Sequence, residues 1–345
     1  MGEDQRTFLR GFGSETYGLK DFRDKQRRVD RVRRAGTVVD DGSVGHSGDS
    51  DEGKSRTWWM VGPGDEPFLS QSLQVHFVEL KPGGENHGHG HQNEAHFYIL
   101  DGAGYEIHDG KRYEWKKDDL VIVHTDSKHK HHNLSATERA LALVLKAKTT
   151  WMLLGMWQQG RSAAFADESK FGPREDWSRL WTPGWESKKK VITPADTRWE
   201  TTRDGKVRVI LSKERTDART HSLDLYQQEV PAGGRSGKHW HMSDEMVYVI
   251  SGAGRSLQWD VEADIDDKYY ARIPKEPTTW DFNTGDVVYV PTNTVHQIVN
   301  TGRTPLVFLV AQNRVFKFIG YDNVVFFEDA PERAGRTGTQ AVAAD

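Results

Sequence analysis

The residues of this chain best suited to chemistry are histidines set at strand spacing. His239 and His241 stand two apart, and Glu245 follows four residues later. Side chains on an extended strand alternate faces, so His239 and His241 point to one side, with Glu245 at an even offset from both. His296, on a distant strand, completes a candidate set of three neutral imidazoles and one carboxylate. Four such ligands leave positions open on a six-coordinate ion for water or substrate, which suits an open, catalytic metal site.

A second group lies earlier in the chain. His89 and His91 repeat the spacing, and His129 stands where His296 stands. Ala95 occupies the carboxylate position here, and the odd offset of the adjacent Glu94 aims it away from the histidines. This group also has histidines that its counterpart lacks: His87, His96, His124, His131 and His132. His131 shares a strand face with His129, which makes it the candidate catalytic residue, a proton carrier beside the ion; His132 faces outward.

The elements that must position these residues come from an internal repeat. Gly83 and Gly84 precede the first histidine pair and Gly233 and Gly234 the second, an offset of 150 residues that also relates Tyr98 to Tyr248, Gly102 to Gly252 and Gly104 to Gly254. So many positions at one offset mark two copies of a unit. The offset grows to 167 between His129 and His296, so the second copy carries 17 more residues. They fall around residues 259–277, an acidic stretch read as a solvated loop. Short β-rich runs such as Gln74–Leu80, Leu120–Val123, Val287–Val290 and residues 141–145 and 306–310 lie between turn residues, which predicts barrels or sandwiches.

The two copies resemble the characteristic motifs of the cupin superfamily. The second reads Gly233-x5-His239-x-His241-x3-Glu245-x6-Gly252, then Gly285-x5-Pro291-x-Asn293-x2-His296-x3-Asn300, with Asn293 where glycine is usual. The first reads Gly83-x5-His89-x-His91-x3-Ala95-x6-Gly102, followed by His129-x3-Asn133. The resemblance implies an all-β chain of two tandem jelly-roll-like barrels. It divides the sequence into an N-terminal extension (1–70), barrel 1 (71–148), a connector (149–220), barrel 2 (221–320) and a C-terminal tail (321–345).

A three-histidine group without the glutamate is similar to the ring-cleaving gentisate and salicylate dioxygenases, which are also tandem cupins. That resemblance implies an Fe(II) enzyme opening a hydroxylated aromatic ring, with the aromatic substrate and O2 as partners; Mn(II), Ni(II) and Zn(II) are the other metals. It also implies a homo-oligomer. One alternative is Mn-dependent, oxalate-type decarboxylation or oxidation, against which Ala95 counts. The other is a non-catalytic metabolite-binding bicupin, against which seven retained ligand positions count.

Composition narrows the remaining classes. Across 345 residues, 47 Lys and Arg against 51 Asp and Glu give a net charge of −4, too mild a field for a nucleic-acid partner. Without cysteine, any metal must be held by imidazole and carboxylate. No run approaches the ~18 apolar residues of a membrane span, so a soluble, cytoplasmic protein without a membrane partner is expected. Tryptophans 151, 157, 177, 181, 185 and 199 mark the connector, which is expected to pack on both barrels. Residues 21–34 read as a solvated helix, 40–54 as a flexible loop and 337–345 as a disordered tail.

Overall fold

Short runs of alternating and wholly apolar residues become the strands of two barrels in the computed structural model, which describes residues 19–37, 48–50, 54–62, 70–156, 159–161, 168–173 and 185–333. Each barrel closes a seven-stranded sheet over a five-stranded one. In the first, Leu120–Val123, Ala95–Asp101, Ala140–Lys146 and Gln74–Leu80 are neighbours in the larger sheet. His89–His91, Ser127–Asn133, Ala103–His108 and Lys111–Lys116 are neighbours in the smaller. The second barrel repeats this order, with Val287–Val290, Glu245–Ser251, Leu306–Asn313 and Leu223–Val230 facing Lys238–His241, Thr294–Asn300, Ala253–Asp260 and Thr278–Asn283.

The larger sheets bury both faces, which is why their strands read as continuous apolar runs. Ala95, Phe97, Ile99, Val121, Val123, Ala142 and Val144 fill the inside of the first barrel. The alternate residues Tyr98, Leu120, Ile122, Leu143 and Leu145 pack across a seam against Leu223, Leu225, Met246, Leu309 and Ala311 of the second. Two carboxylates pin the seam reciprocally. Glu94 accepts hydrogen bonds from the backbone N–H groups of His221 and Ser222 and from the Ser222 hydroxyl. Asp244, 150 residues on, accepts from the N–H and hydroxyl of Ser72 and from the Tyr289 hydroxyl. Each barrel thus grips the residues just before the other's first central strand.

Strands outside the central repeats also join the sheets. Ser55–Val61, within the extension, pairs with Gln74–Leu80, and Gly205–Leu211, within the connector, pairs with Leu223–Val230. Val32–Arg33 and Val191–Ile192 take equivalent edge places, against Val287–Val290 and Leu120–Val123 respectively. Gln159–Arg161 and Val325–Glu328 do the same beside the two histidine strands.

Two sequence expectations are corrected. The charged segment 21–34 is not simply a solvated helix. Helix Leu19–Arg28 is docked on the second barrel through Arg27, which donates to Glu262 and to the Val261 carbonyl. Arg31 is 0% exposed, its guanidinium held by Gln258 and Asp260. The loop at 40–54 contains an edge strand, Gly48–Ser50, paired with residues 55–57; residues 40–47 and 51–53 lie outside the described residues, as does the tail 337–345. The acidic insertion is exposed but ordered as a hairpin, Glu262–Ile265 against Tyr269–Arg272. Of the connector tryptophans, Trp157, Trp177 and Trp181 lie outside the described residues. Trp185 is buried, stacked on His124 of the first barrel and 5.9 Å from His221 before the second. Trp199 is partly exposed beside Lys206 and Arg208.

Candidate metal centres

Antiparallel pairing brings distant histidines together. In the second barrel His239 lies directly opposite His296, and Glu245 opens the strand Glu245–Ser251 opposite Gln312. One ligand atom from each of His239, His241, Glu245 and His296 lies within 4.8 Å of the others, and all four side chains are buried. Their tautomers follow from local carbonyls, which can only accept. Nδ1 of His241 meets the Ser243 carbonyl at 2.9 Å and Nδ1 of His296 the Thr294 carbonyl at 3.1 Å. Nδ1 therefore holds the proton, and the Nε2 lone pair faces inward. His239 differs, with Nδ1 3.5 Å from both the Gly237 carbonyl and Oδ1 of Asp204.

The electrostatics match a site that wants a cation. Burial alone would raise Glu245, but the nearby imidazoles of His296 and His241 hold its carboxyl well below the usual range. Burial and the neighbouring rings of His296 and His241 push His239 well below its ordinary value. Burial, then the charge of Glu245, raises Asp204 to about 8. Nε2 of His296 is buried with no hydrogen-bond partner. Converging lone pairs and a charged carboxylate with no donor among them fit a divalent metal.

In the first barrel, His89, His91 and His129 bring ligand atoms within 4.8 Å of one another. Nδ1 of His89 meets the His87 carbonyl at 3.1 Å and Nδ1 of His91 the Asn93 carbonyl at 2.6 Å. Nε2 of His91 and both ring nitrogens of His129 are buried without hydrogen-bond partners, so this set also fits an ion. Ala95 is fully buried in the apolar interior, and Glu94 is turned to the seam.

His131 lies inside the barrel, its ring 5.4 Å from that of His129 and its Nδ1 3.8 Å from Oε2 of Glu106. The space beyond it, lined by Phe97, Ile99, Trp115 and Ala142, is about 10 Å³, room for one water. Of the other histidines, His124 donates from Nε2 to the Ala218 carbonyl across the seam at 2.7 Å, and so carries its proton there. His96 is buried in the seam and His87 is exposed. His132 faces out, stacked on Tyr105 and 2.9 Å from Glu85.

A family profile described as Cupin domain matches residues 76–145 and 226–312, the two copies that carry these sets. The chain carries two cupin domains in tandem, the arrangement called a bicupin. Among solved structures it is similar to oxalate decarboxylase from Bacillus subtilis. A structure from work on that enzyme's Mn(II) centres has a TM-score of 0.53 at 17% identity, over 79% of this chain and 74% of that one. A two-residue deletion variant of the same enzyme has a TM-score of 0.55 at 17% identity, over 86% and 81%. At this identity the likeness establishes the fold alone. No curated protein matches the sequence.

Within the bicupin the motif residues divide between chemistry and scaffold. Nδ2 of Asn133 donates to the carbonyls of Leu80, Lys81 and Glu138, and Nδ2 of Asn300 to those of Val230, Pro231 and Thr304. Asn293, where glycine is usual, adopts the left-handed φ of 59° that the turn requires. Sequence reasoning missed four residues at the sites: Asp204 beside His239, Gln312 beside Glu245, and Glu106 and Lys146 in the first barrel. Glu106 sits at an inward position of Ala103–His108, where the second barrel has Ser256, and neither of its oxygens has a hydrogen-bond partner. Burial raises its carboxyl well above the usual range. Strand alternation alone could have flagged Glu106; the others needed the pairing register.

Proposed function

We propose that the second barrel is the catalytic centre of a Mn(II)-dependent enzyme acting on a small carboxylic acid of the oxalate type, by decarboxylation or oxidation. The observation that carries this reading is the complete, buried set of His239, His241, Glu245 and His296, which pairs three imidazoles with a carboxylate. The similar Mn(II) oxalate decarboxylases favour it over Fe(II) ring opening.

A metal held there would offer open positions to a carboxylate oxygen and draw charge from it. The chain's own residues prepare the site. Gln312 donates from Nε2 to Oε2 of Glu245 at 2.8 Å and fixes the carboxylate. The Tyr226 hydroxyl donates to the same oxygen at 3.5 Å, and burial followed by the charge of Glu245 raises it well above its ordinary value, so it keeps its proton and can act as a donor. Val247, Val249, Phe308 and Val310 fill the barrel interior, which favours a compact acid over a ring.

Decarboxylation of hydrogen oxalate breaks one carbon–carbon bond, releases CO2 and places a proton on the remaining carbon to give formate, with no net oxidant. Mn(II)-loaded protein should form CO2 and formate in equal amounts from oxalate, and Glu245→Ala should stop both. Oxalate left unchanged by neutral and mildly acidic protein alike sinks the assignment.

Fe(II)-dependent ring opening is the second reading. The three-imidazole set with partly exposed His89 favours it, and His131 would be its proton carrier. It requires O2 uptake that depends on gentisate, hydroquinone or salicylate and disappears with His129→Ala.

A further inference from the structure

We propose that the first barrel carries an anion-receiving site, anchored by Lys146, for a small carboxylate that approaches the His89, His91 and His129 set. On Ala140–Lys146, Ala142 and Val144 face the barrel interior and Leu143 and Leu145 the seam, so alternation turns Lys146 inward. Lys146 lies opposite Gln74, and Gln312 lies opposite Asp224, 150 residues further on. Lys146 therefore holds the place in the first barrel that Gln312 holds in the second.

Gln312 is the residue that hydrogen-bonds the ligand carboxylate of Glu245. In the first barrel these two places are Lys146 and Ala95. A carboxylate has become a methyl and an amide an ammonium, so the site changes from net negative to net positive. The negative charge that the second barrel supplies from its own chain must come, in the first, from a ligand.

The surroundings support this. Among the described residues Lys146 has no hydrogen-bond or ion-pair partner. Burial, then Lys148, brings it down to about 7, with no anion opposing the shift. Its charge reaches the site, since it lowers His91, His129 and His131. Glu106 does not offset it: that carboxyl lies beyond His131, and the cation acting on it is Lys190. Lys148, which bonds Gln159 through Nζ at 2.7 Å, adds a second positive group close by. An ammonium beside an ion held only by imidazoles can pair with one carboxylate oxygen while the other meets the ion.

The test uses full-length protein loaded with Co(II), whose visible absorption responds to anions entering its coordination, with acetate as the probe. Lys146→Gln should weaken the acetate response of one Co(II) equivalent by roughly tenfold or more. Lys146→Arg should preserve it, and Co(II) content should be unchanged in both. Ala95→Glu combined with Lys146→Gln, which rebuilds the second barrel's pair, should abolish that response and tighten Co(II) retention. Equal acetate affinity in wild type and Lys146→Gln, or no first-barrel response in the wild type, overturns the proposal. Neither result bears on the second barrel, whose ion is read separately through His239 and His241.

Discussion

Nε2 of Gln312 lies 2.8 Å from Oε2 of Glu245 and 3.1 Å from Nε2 of His241, so one amide braces a candidate ligand on the neighbouring strand and another on the facing sheet. The bicupin keeps this brace in one barrel and replaces both partners in the other, with Lys146 and Ala95. One fold thus presents two sites of opposite charge. The second sets a carboxylate among its imidazoles, and the first sets a lysine beside them.

The brace gives the first prediction. Gln312→Ala, which touches ligands without being one, should weaken metal binding at the second site by about 10–100-fold. Glu245→Ala should weaken it more. Competition with a chromophoric chelator measures both. If neither variant loses affinity, Glu245 does not bind the ion.

Asp204 makes the stability of the metal-free protein depend on pH. Its folded value, about 8, lies above its ordinary 3.8, raised by burial and then by Glu245. Between these values the folded state holds a proton that the unfolded state has lost. Asp204 therefore disfavours folding increasingly as pH rises from about 4 to about 8, and no further above that. Asp204→Asn should remove this component, so its gain in stability over wild type should grow across that window. A gain independent of pH in thermal melts would contradict the assignment.

The seam clamp should matter for folding and little for metal. Glu94→Ala leaves the N–H groups of His221 and Ser222 without their acceptor in a buried joint and should cost about 2–4 kcal/mol in urea unfolding. Metal content in the absence of denaturant should stay at the wild-type value. A loss below about 0.5 kcal/mol would mean that water replaces the carboxylate.

Much of the architecture was legible because the chain states it twice. Two copies in register identify His89 with His239 and His129 with His296, and alternation puts each pair on one face and turns Glu94 away. Asp204, Gln312 and Lys146 were not legible, because Asp204 reaches its site from the turn between Trp199–Thr202 and Gly205–Leu211, and the other two from strands whose register against the histidine strands is set only by folding. Arg31 was misread for a different reason. A run rich in Arg and Asp resembles a solvated helix, and only the position of Gln258 and Asp260 opposite it shows that the guanidinium is buried. The short edge strands at 32–33 and 191–192 carry too few residues to show a period.

The most direct test of the account is the metal content of purified, Mn(II)-loaded protein, compared between wild type and the His239→Ala, His241→Ala double variant. The second barrel as principal metal centre predicts loss of the tightly held equivalent, with at most a weaker ion left in the first. Metal content and chelator resistance equal to wild type would contradict it.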